Sequence, residues 1–225
     1  DRCLAGGVAD CSLDLGGDGA WSRWAGAARL DISGRRTADL ALTMNRGRFR
    51  MTGWTAPSPF LRGKLQRLTE DRVLVSGSGT FEDRRLDGRL SLRSGALRVE
   101  TRGAIDLGRG RYDDVAFAAE LLRPAALFRN MTGRQVRLTG LLARRFGRAD
   151  FVYRLAAPRI AFDQTGFEEV RATGRGRLTR APVTVPLLAT ARRVTGVGEV
   201  AARILAKLRL EGALHASLGL RGKRQ

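Results

Sequence analysis

The sequence offers little that could carry catalysis. His215 is the only histidine, so any Ser-His-Asp arrangement would have to use it, and no Gly-x-Ser-x-Gly motif accompanies it. It follows Arg209 and Glu211 on the polar side of an alternating stretch. That pattern favours a solvated histidine, so we predict that the chain has no catalytic residue and is not an enzyme.

Adjacent carboxylates occur at three places in the chain. Glycoside hydrolases use two carboxylates that flank the substrate. Neighbouring residues of a strand point to opposite faces, so adjacent carboxylates could not act together there. We therefore interpret all three doublets as turn residues: Glu82-Asp83, Asp113-Asp114 and Glu168-Glu169.

The sequence also lacks the ligands of a metal site. Cys3 and Cys11 are the only cysteines, and there is neither a histidine cluster nor an acidic loop of calcium-binding spacing. We predict no metal and no cofactor. The two cysteines could form a disulfide in an oxidising compartment or remain thiols, and the sequence leaves both open.

One stretch matches a cofactor-binding motif in residue types but not in its predicted structural context. Gly196-Val197-Gly198-Glu199-Val200-Ala201 fits the Gly-x-Gly-x-x-Ala fingerprint of dinucleotide-binding folds. That fingerprint needs a crossover helix followed by a parallel strand that is apolar on both faces. The helical spacing after Gly198 is short, and the strand that follows is apolar on one face only. We therefore predict no dinucleotide site.

The clearest strand signal lies near the end of the chain, at residues 208–220. The odd positions there are charged, small or polar, whereas no even position is polar, so the period is two and one face is apolar. At about 3.4 Å per residue the stretch would run roughly 40 Å, longer than most globular strands. The even positions are Leu208, Leu210, Gly212, Leu214, Ala216, Leu218 and Leu220.

The same alternation recurs along the whole chain. It predicts strands at residues 28–33, 38–44, 48–54, 73 onward, 86–92, 97–107, 115–121, 136–146, 151–155, 170–178 and 183–191. Helical spacing predicts short helices at 60–68, 125–131 and 198–207. The expected fold is mainly β: a long, curved, mostly antiparallel sheet that forms an open groove. We treat residues 1–225 as a single segment, with a soft subdivision allowed near 56–72, where two prolines end a strand.

Several predicted strands contain a glycine after the pattern apolar, charged, variable, polar or small. The spacing between these glycines varies, so the repeat is not a solenoid of fixed period. A glycine inside a strand usually marks a bulge or bend, and we expect the strands to curve there. The glycines are Gly34, Gly103, Gly140, Gly174 and Gly212.

The composition is strongly basic. The formal net charge is +19, and Lys64, Lys207 and Lys223 are the only lysines, so the positive charge is almost wholly arginine. The charge could attract phosphate on nucleic acid or on anionic lipids. Alternatively, it could result from the codon bias of a GC-rich genome, which favours arginine at solvated positions. The arginines are spread along the chain and do not form blocks. We predict no nucleic-acid partner.

Two stretches near the end carry a family resemblance. Ala191-Arg192-Arg193-Val194-Thr195-Gly196-Val197, the predicted helix after it and Leu208-Arg209-Leu210-Glu211-Gly212-Ala213-Leu214 resemble the YdbH branch of the AsmA-like and TamB superfamily. The one-sided strands at 97–107 and 170–178 resemble that superfamily's repeating sheet. The resemblance implies a section of a long envelope protein that crosses the periplasm and is anchored in the inner membrane by a segment not present here. It also implies a groove that carries phospholipid toward the outer membrane.

The residue pattern agrees with a lipid-conducting role, in which phospholipid and the two membranes are the partners. Such a groove needs long strands with one apolar face, bends, no reactive groups and few bulky rings, and aromatic residues make up only 6% of this chain. The alternatives are a scaffold for outer-membrane protein assembly and a closed β-sandwich, in which a second sheet covers the face. The residues predicted to line the groove are Leu97, Val99, Ile105, Leu107, Phe117, Phe151, Tyr153, Leu155, Leu210, Leu214 and Leu218.

Overall fold

The computed structural model describes residues 11–20, 22–145, 149–178, 183–198 and 210–216. These residues form one large antiparallel sheet with very few helices, as the sequence predicted. The strands are β1 (Cys11–Ala20), β2 (Arg23–Ile32), β3 (Arg35–Asn45), β4 (Arg48–Thr55), β5 (Val73–Glu82), β6 (Arg85–Arg93), β7 (Leu97–Asp106), β8 (Arg111–Leu121), β9 (Met131–Arg134), β10 (Val136–Arg145), β11 (Ala149–Phe162), β12 (Thr165–Leu178), β13 (Val183–Thr190), β14 (Arg193–Thr195) and β15 (Leu210–Ala216).

The strand order follows the chain almost without exception. Each strand from β1 to β8 pairs with the next, β8 pairs with β10, and the order then runs through β11, β12, β13 and β15. Strand β9 pairs with the far end of β11 beside β10, and β14 pairs with the far end of β12 beside β13. Strands β1 and β15 stand at opposite ends of this order, so the sheet is open and the closed β-sandwich is not what the described residues form.

The cross-strand register separates the sheet into two faces. One row of directly opposed residues is mostly apolar or glycine, and the face that contains it is called the apolar face: Met51, Gly77, Leu90, Thr101, Phe117, Gly140, Tyr153 and Gly174. The neighbouring row is rich in arginine, and its face is called the polar face: Arg50, Ser78, Arg89, Arg102, Ala116, Leu141, Val152 and Arg175.

Short helical segments cover the apolar face along one edge, here called the helical edge. Helix α1 (Lys64–Thr69) and the 3₁₀ helix Pro124–Ala126 meet there, and the Nε of Arg67 donates to the carbonyl of Ala126 at 3.0 Å. Leu68 and Leu127 pack against the main buried cluster. The core therefore lies at one margin of the sheet. The cluster consists of Leu121, Met131, Val136, Ala157 and Ile160.

The rest of the sheet is thin. The chain exposes 16503 Å² of surface, whereas a compact protein of this mass exposes roughly 10,000 Å². None of the large side chains that the structure describes is fully buried. A single sheet without a second layer over most of its area explains both observations.

Residues 56–72 connect two strands that are hydrogen-bonded to each other. Every residue of β4 pairs with a residue of β5, so the sheet runs without a break past this connection. The connection holds the 3₁₀ helix Ser58–Phe60 and α1, which begins at Lys64 and is shorter than the predicted helix at 60–68.

The glycine-rich residues 11–20 form β1, although the sequence shows no strand pattern there. Three predictions need correction or fall, wholly or in part, outside the described residues. The predicted helix at 125–131 reduces to one 3₁₀ turn, because Met131 already pairs with Phe162 in the sheet. All of the predicted helix at 198–207 except Gly198 lies outside the described residues. The last three residues of the dinucleotide-like stretch, Glu199, Val200 and Ala201, lie outside them as well.

The interpretation of the carboxylate doublets as turn residues was wrong for two of the three. Asp83 does occupy a turn after β5, but Asp113-Asp114 lies within β8 and Glu168-Glu169 within β12. Asp114 and Glu169 have φ values of 48° and 50°. Both therefore adopt the left-handed conformation inside a strand, which the alternating pattern cannot reveal.

Candidate functional site

The apolar face is the candidate functional site, and most residues predicted to line a groove lie on it. On β7, β8 and β11 these side chains are half-buried and share the face by register. They are Leu97, Val99, Ile105, Phe117, Phe151, Tyr153 and Leu155.

The other predicted lining residues have different outcomes. Strand β7 ends at Asp106, and Leu107 opens the following turn with 53% of its surface exposed, so it is not part of the face. A strand pattern alone could not fix this boundary. Leu210 and Leu214 pair with Ala189 and Val185 in the backbone register of β13 and β15. Leu218 lies outside the described residues.

The face extends further than the predicted set. On β4 to β8 it consists of apolar residues, glycines, two threonines and a tyrosine, with no charged side chain. The same period-two signal that marked β7 was present in β2 to β6 and could have found the additional residues there, but not those of β1. Those on the first six strands include Leu13, Leu15, Trp24, Leu42, Met51, Leu86 and Leu90.

A cavity of about 220 Å³ opens on the apolar face between β4 and β8. Its larger lining residues include Phe49, Leu86, Leu90, Ile105 and Val115. The lining is apolar apart from Thr101 and Arg89, which suits hydrocarbon better than a polar ligand.

A row of glycines passes beneath this cavity. Gly79 pairs with Gly88, and Gly88 pairs with Gly103, so three neighbouring strands lack a side chain at the same level. A Cβ at Gly79 would collide with the carbonyl oxygen of Asp87, and one at Gly103 would lie 2.6 Å from the Cα of Val115. Gly103 also has a φ of 152° and sits at a register shift between β7 and β8. Glycine is required here because the strands approach too closely for a side chain.

Aromatic rings on the apolar face lie over glycines of neighbouring strands. The Cζ of Phe117 is 2.5 Å from where a Cβ of Gly140 would be, and the Cζ of Phe151 is 2.6 Å from the corresponding point at Gly176. Both pairs are directly opposed in the register. The rings therefore cover backbone that would otherwise be bare, and they add apolar area without projecting far from the sheet.

The polar face is organised by arginine and aspartate. Asp150 lies between the Nε of Arg144 at 2.6 Å and the Nε of Arg177 at 2.7 Å. The hydrogen bond from Arg177 and the charge of Arg144 hold the pKa of Asp150 below its ordinary value. On the apolar face, burial raises the pKa of the Tyr153 phenol. The two faces thus offer a charged and a weakly polar environment on either side of one sheet.

The described residues contain no group of three or more His, Cys, Asp or Glu side chains placed to hold a metal ion. None of the described helices is long and apolar enough to cross a membrane. Cys11 is disulfide-bonded, and Cys3, the other cysteine, lies outside the described residues.

The fold and the site define a class of protein: an open, single-layered antiparallel β-sheet with one apolar and one charged face. No protein-family model matches the chain, and neither a curated protein nor a solved structure matches it.

Proposed function

We propose that this chain is a non-enzymatic, lipid-conducting segment that shields phospholipid acyl chains on the apolar face during transport between the inner and outer membranes. One observation carries the proposal: the apolar face is continuous over many strands, is only half-buried, and is covered by the described residues along the helical edge alone. A soluble protein rarely exposes a contiguous apolar area of this extent unless something binds to it.

The energetic need for such a face is large. Moving an acyl chain through water exposes each CH₂ group at about 0.8 kcal/mol, so sixteen carbons cost about 13 kcal/mol. An apolar trough that stays in contact with the chain removes most of this barrier. Because the contact is non-directional, the chain can slide without breaking specific bonds.

The residues of the apolar face fit distinct parts of this task. Leu97, Val99 and Ile105 would contact acyl chains directly. Phe117 and Phe151, seated over glycines, would widen the apolar floor without obstructing it. The phenol of Tyr153 adds no charge to the path, because a tyrosine is neutral at physiological pH and burial raises its pKa further.

The cellular setting is part of the proposal. The resemblance to the AsmA-like and TamB superfamily favours a periplasmic location and anchoring in the inner membrane. The disulfide at Cys11 supports an oxidising compartment, since disulfides persist in the periplasm and rarely in a bacterial cytosol.

Adjacent leucines of β10 give a sharp test. Leu142 is half-buried on the apolar face, and Leu141 is 45% exposed on the polar face. We expect Leu142→Asp to abolish extraction of fluorescent phospholipid from donor vesicles. Leu141→Asp, the same substitution one residue away, should leave extraction near the wild-type level. Native mass spectrometry of the wild type should show bound phospholipid.

Circular dichroism on both variants separates loss of binding from loss of folding. If both variants fold and both extract lipid as the wild type does, the apolar face does not carry acyl chains. An equal loss of lipid extraction in both folded variants would also contradict the proposal. The loss would then result from the added charge, whichever face of the sheet carries it.

A scaffold for outer-membrane protein assembly is the second candidate, and one observation favours it. Among the described residues β1 pairs only with β2, nine of its ten residues are exposed, and Leu15 is 69% exposed. An open edge of this kind can pair with a strand of a client protein. Photo-crosslinks from β1 to a β-barrel protein, with none to lipid from the apolar face, would favour this role.

A further inference from the structure

The polar face contains a hollow lined by arginines that lack a carboxylate partner among the described residues. A cavity of about 810 Å³ spans β4 to β10 and is lined by the exposed arginines Arg50, Arg89 and Arg102. We call it the arginine hollow. It exists because the neighbouring positions on this face carry small side chains, among them Ser76, Ser78, Ser91, Ala116, Ala118 and Thr139.

Two of these arginines oppose each other directly. Arg89 on β6 and Arg102 on β7 are partners in the register, and like charges in this position destabilise a strand pair. Among the described residues, no carboxylate lies within 4.0 Å of Arg50, Arg89 or Arg102. The Nε of Arg89 donates instead to the hydroxyl of Ser78 at 3.0 Å.

Other arginines of the polar face do have a carboxylate nearby. Arg93 and Arg98 are also direct partners on β6 and β7, but Arg98 lies 3.7 Å from Glu120. Arg85 on β6 lies 2.6 Å from Asp113 on β8. Arg98 and Arg85 thus have a carboxylate within ion-pair distance, whereas Arg50, Arg89 and Arg102 have none among the described residues.

We propose that the arginine hollow binds a phosphate group. Glu100 is the only acidic residue among those that line it, so the lining carries an excess of two positive charges. Guanidinium groups donate in a planar fork that matches phosphate oxygens, and the serine and threonine hydroxyls add further donors. A phosphate seated between Arg89 and Arg102 would also relieve their mutual repulsion. The phosphate could belong to a lipid headgroup or to a soluble ion, because the recognition chemistry is the same.

The three arginines of this site belong to the polar face, opposite to the proposed lipid path. Six residues of the apolar-face row also border the hollow: Met51, Gly77, Leu90, Thr101, Phe117 and Gly140. Leu142 is not among its lining residues. The folded Leu142→Asp variant should therefore bind phosphate as the wild type does. A failure of lipid extraction with intact phosphate binding, or the reverse, distinguishes the two proposals.

The test compares two double variants with the same change in charge. Arg89→Gln with Arg102→Gln removes the opposed pair of the hollow, and Arg93→Gln with Arg98→Gln removes the neighbouring pair on the same strands. The probes are inorganic phosphate, followed by calorimetry, and sedimentation with phosphatidylglycerol vesicles against phosphatidylcholine vesicles. Both use about 0.15 M salt, which screens the diffuse field of the protein.

We expect the first double variant to bind at least about tenfold more weakly and the second to change less than about twofold, because direct hydrogen bonds to a charged group are lost only in the first. Phosphate should raise the Tm of the wild type more than that of the first variant. Binding of vesicles alone would assign the phosphate to a lipid headgroup, and binding of inorganic phosphate would assign it to a soluble ion. Equal losses in both variants, or no binding of either probe by the wild type, would overturn the proposal.

Discussion

Phe117 and Gly140 face each other across β8 and β10, and the ring of Phe117 occupies the space that a side chain at position 140 would need. The pair shows how the apolar face stays both wide and shallow. We expect Gly140→Ala to lower the free energy of unfolding by about 1–3 kcal/mol, since the ring and the carbonyl of Val152 must move. Urea denaturation measures this loss.

A double-mutant cycle assigns that loss to the ring. If the contact with Phe117 is the main cause, Phe117→Ala combined with Gly140→Ala should show a coupling of about 1 kcal/mol relative to the single variants. Strict additivity would contradict the explanation.

The close approach at Gly103 should be equally intolerant of a side chain. Gly103→Ala places a Cβ 2.6 Å from the Cα of Val115 at a φ of 152°, and we expect a loss of about 1–3 kcal/mol. Gly16→Ala is the control, because nothing lies within 4 Å of the added Cβ and no positive φ is involved. Comparable losses in urea denaturation of the two variants would show that the close approach is unimportant.

Reversing one charge of the opposed arginines should stabilise the sheet. Arg102→Glu would face Arg89 as an ion pair, and we expect a gain of about 0.2–1 kcal/mol in the absence of phosphate. Arg98→Glu would face Arg93 on one side and Glu120 on the other, so its gain and its loss oppose each other and we expect a smaller net change. Urea denaturation at low salt gives both values, and a gain in Arg98→Glu as large as that in Arg102→Glu would argue against local pairing.

The ion pairs of Asp150 predict a dependence of stability on pH. The pKa of Asp150 is lowered in the folded protein, so folding favours its ionised form. This contribution is fully present above the unfolded pKa of about 3.9 and is lost as the pH falls through the lower folded value. We expect Asp150→Asn to be less stable than the wild type at neutral pH, and the difference in Tm should narrow in acid. Parallel Tm curves against pH would contradict this account, and Arg177→Gln should weaken the same dependence.

The sequence predicts which face of the sheet a residue occupies better than it predicts which residue lies opposite it on the neighbouring strand. Alternation in β3 and β7 identifies which side chains are apolar, because period two needs no knowledge of partners. The opposition of Arg89 and Arg102 depends on where the turn between β6 and β7 begins and ends. The position of Asp113 depends on the irregularity at Gly103. Both are properties of pairs of strands, which a single-strand pattern does not contain.

Strand β1 illustrates the other limit. Its glycines and aspartates have low strand propensity, and the sequence shows no strand there. In the structure all ten of its residues pair with β2, and the Trp24 ring of that strand lies over Gly17. Partner strands therefore override local preference at this position, and no local signal could have revealed it.

The nearly sequential strand order has a consequence for how such a chain can change in length. Each hairpin is bonded only to the hairpins beside it, and over most of the sheet no interior element depends on the total number of strands. Duplicating or deleting one hairpin would lengthen or shorten the apolar path by about 10 Å, twice the spacing of neighbouring strands, while leaving distant contacts intact. Under the proposed function, evolution could in this way match the span of the protein to the distance between two membranes by copy number, without redesigning a core.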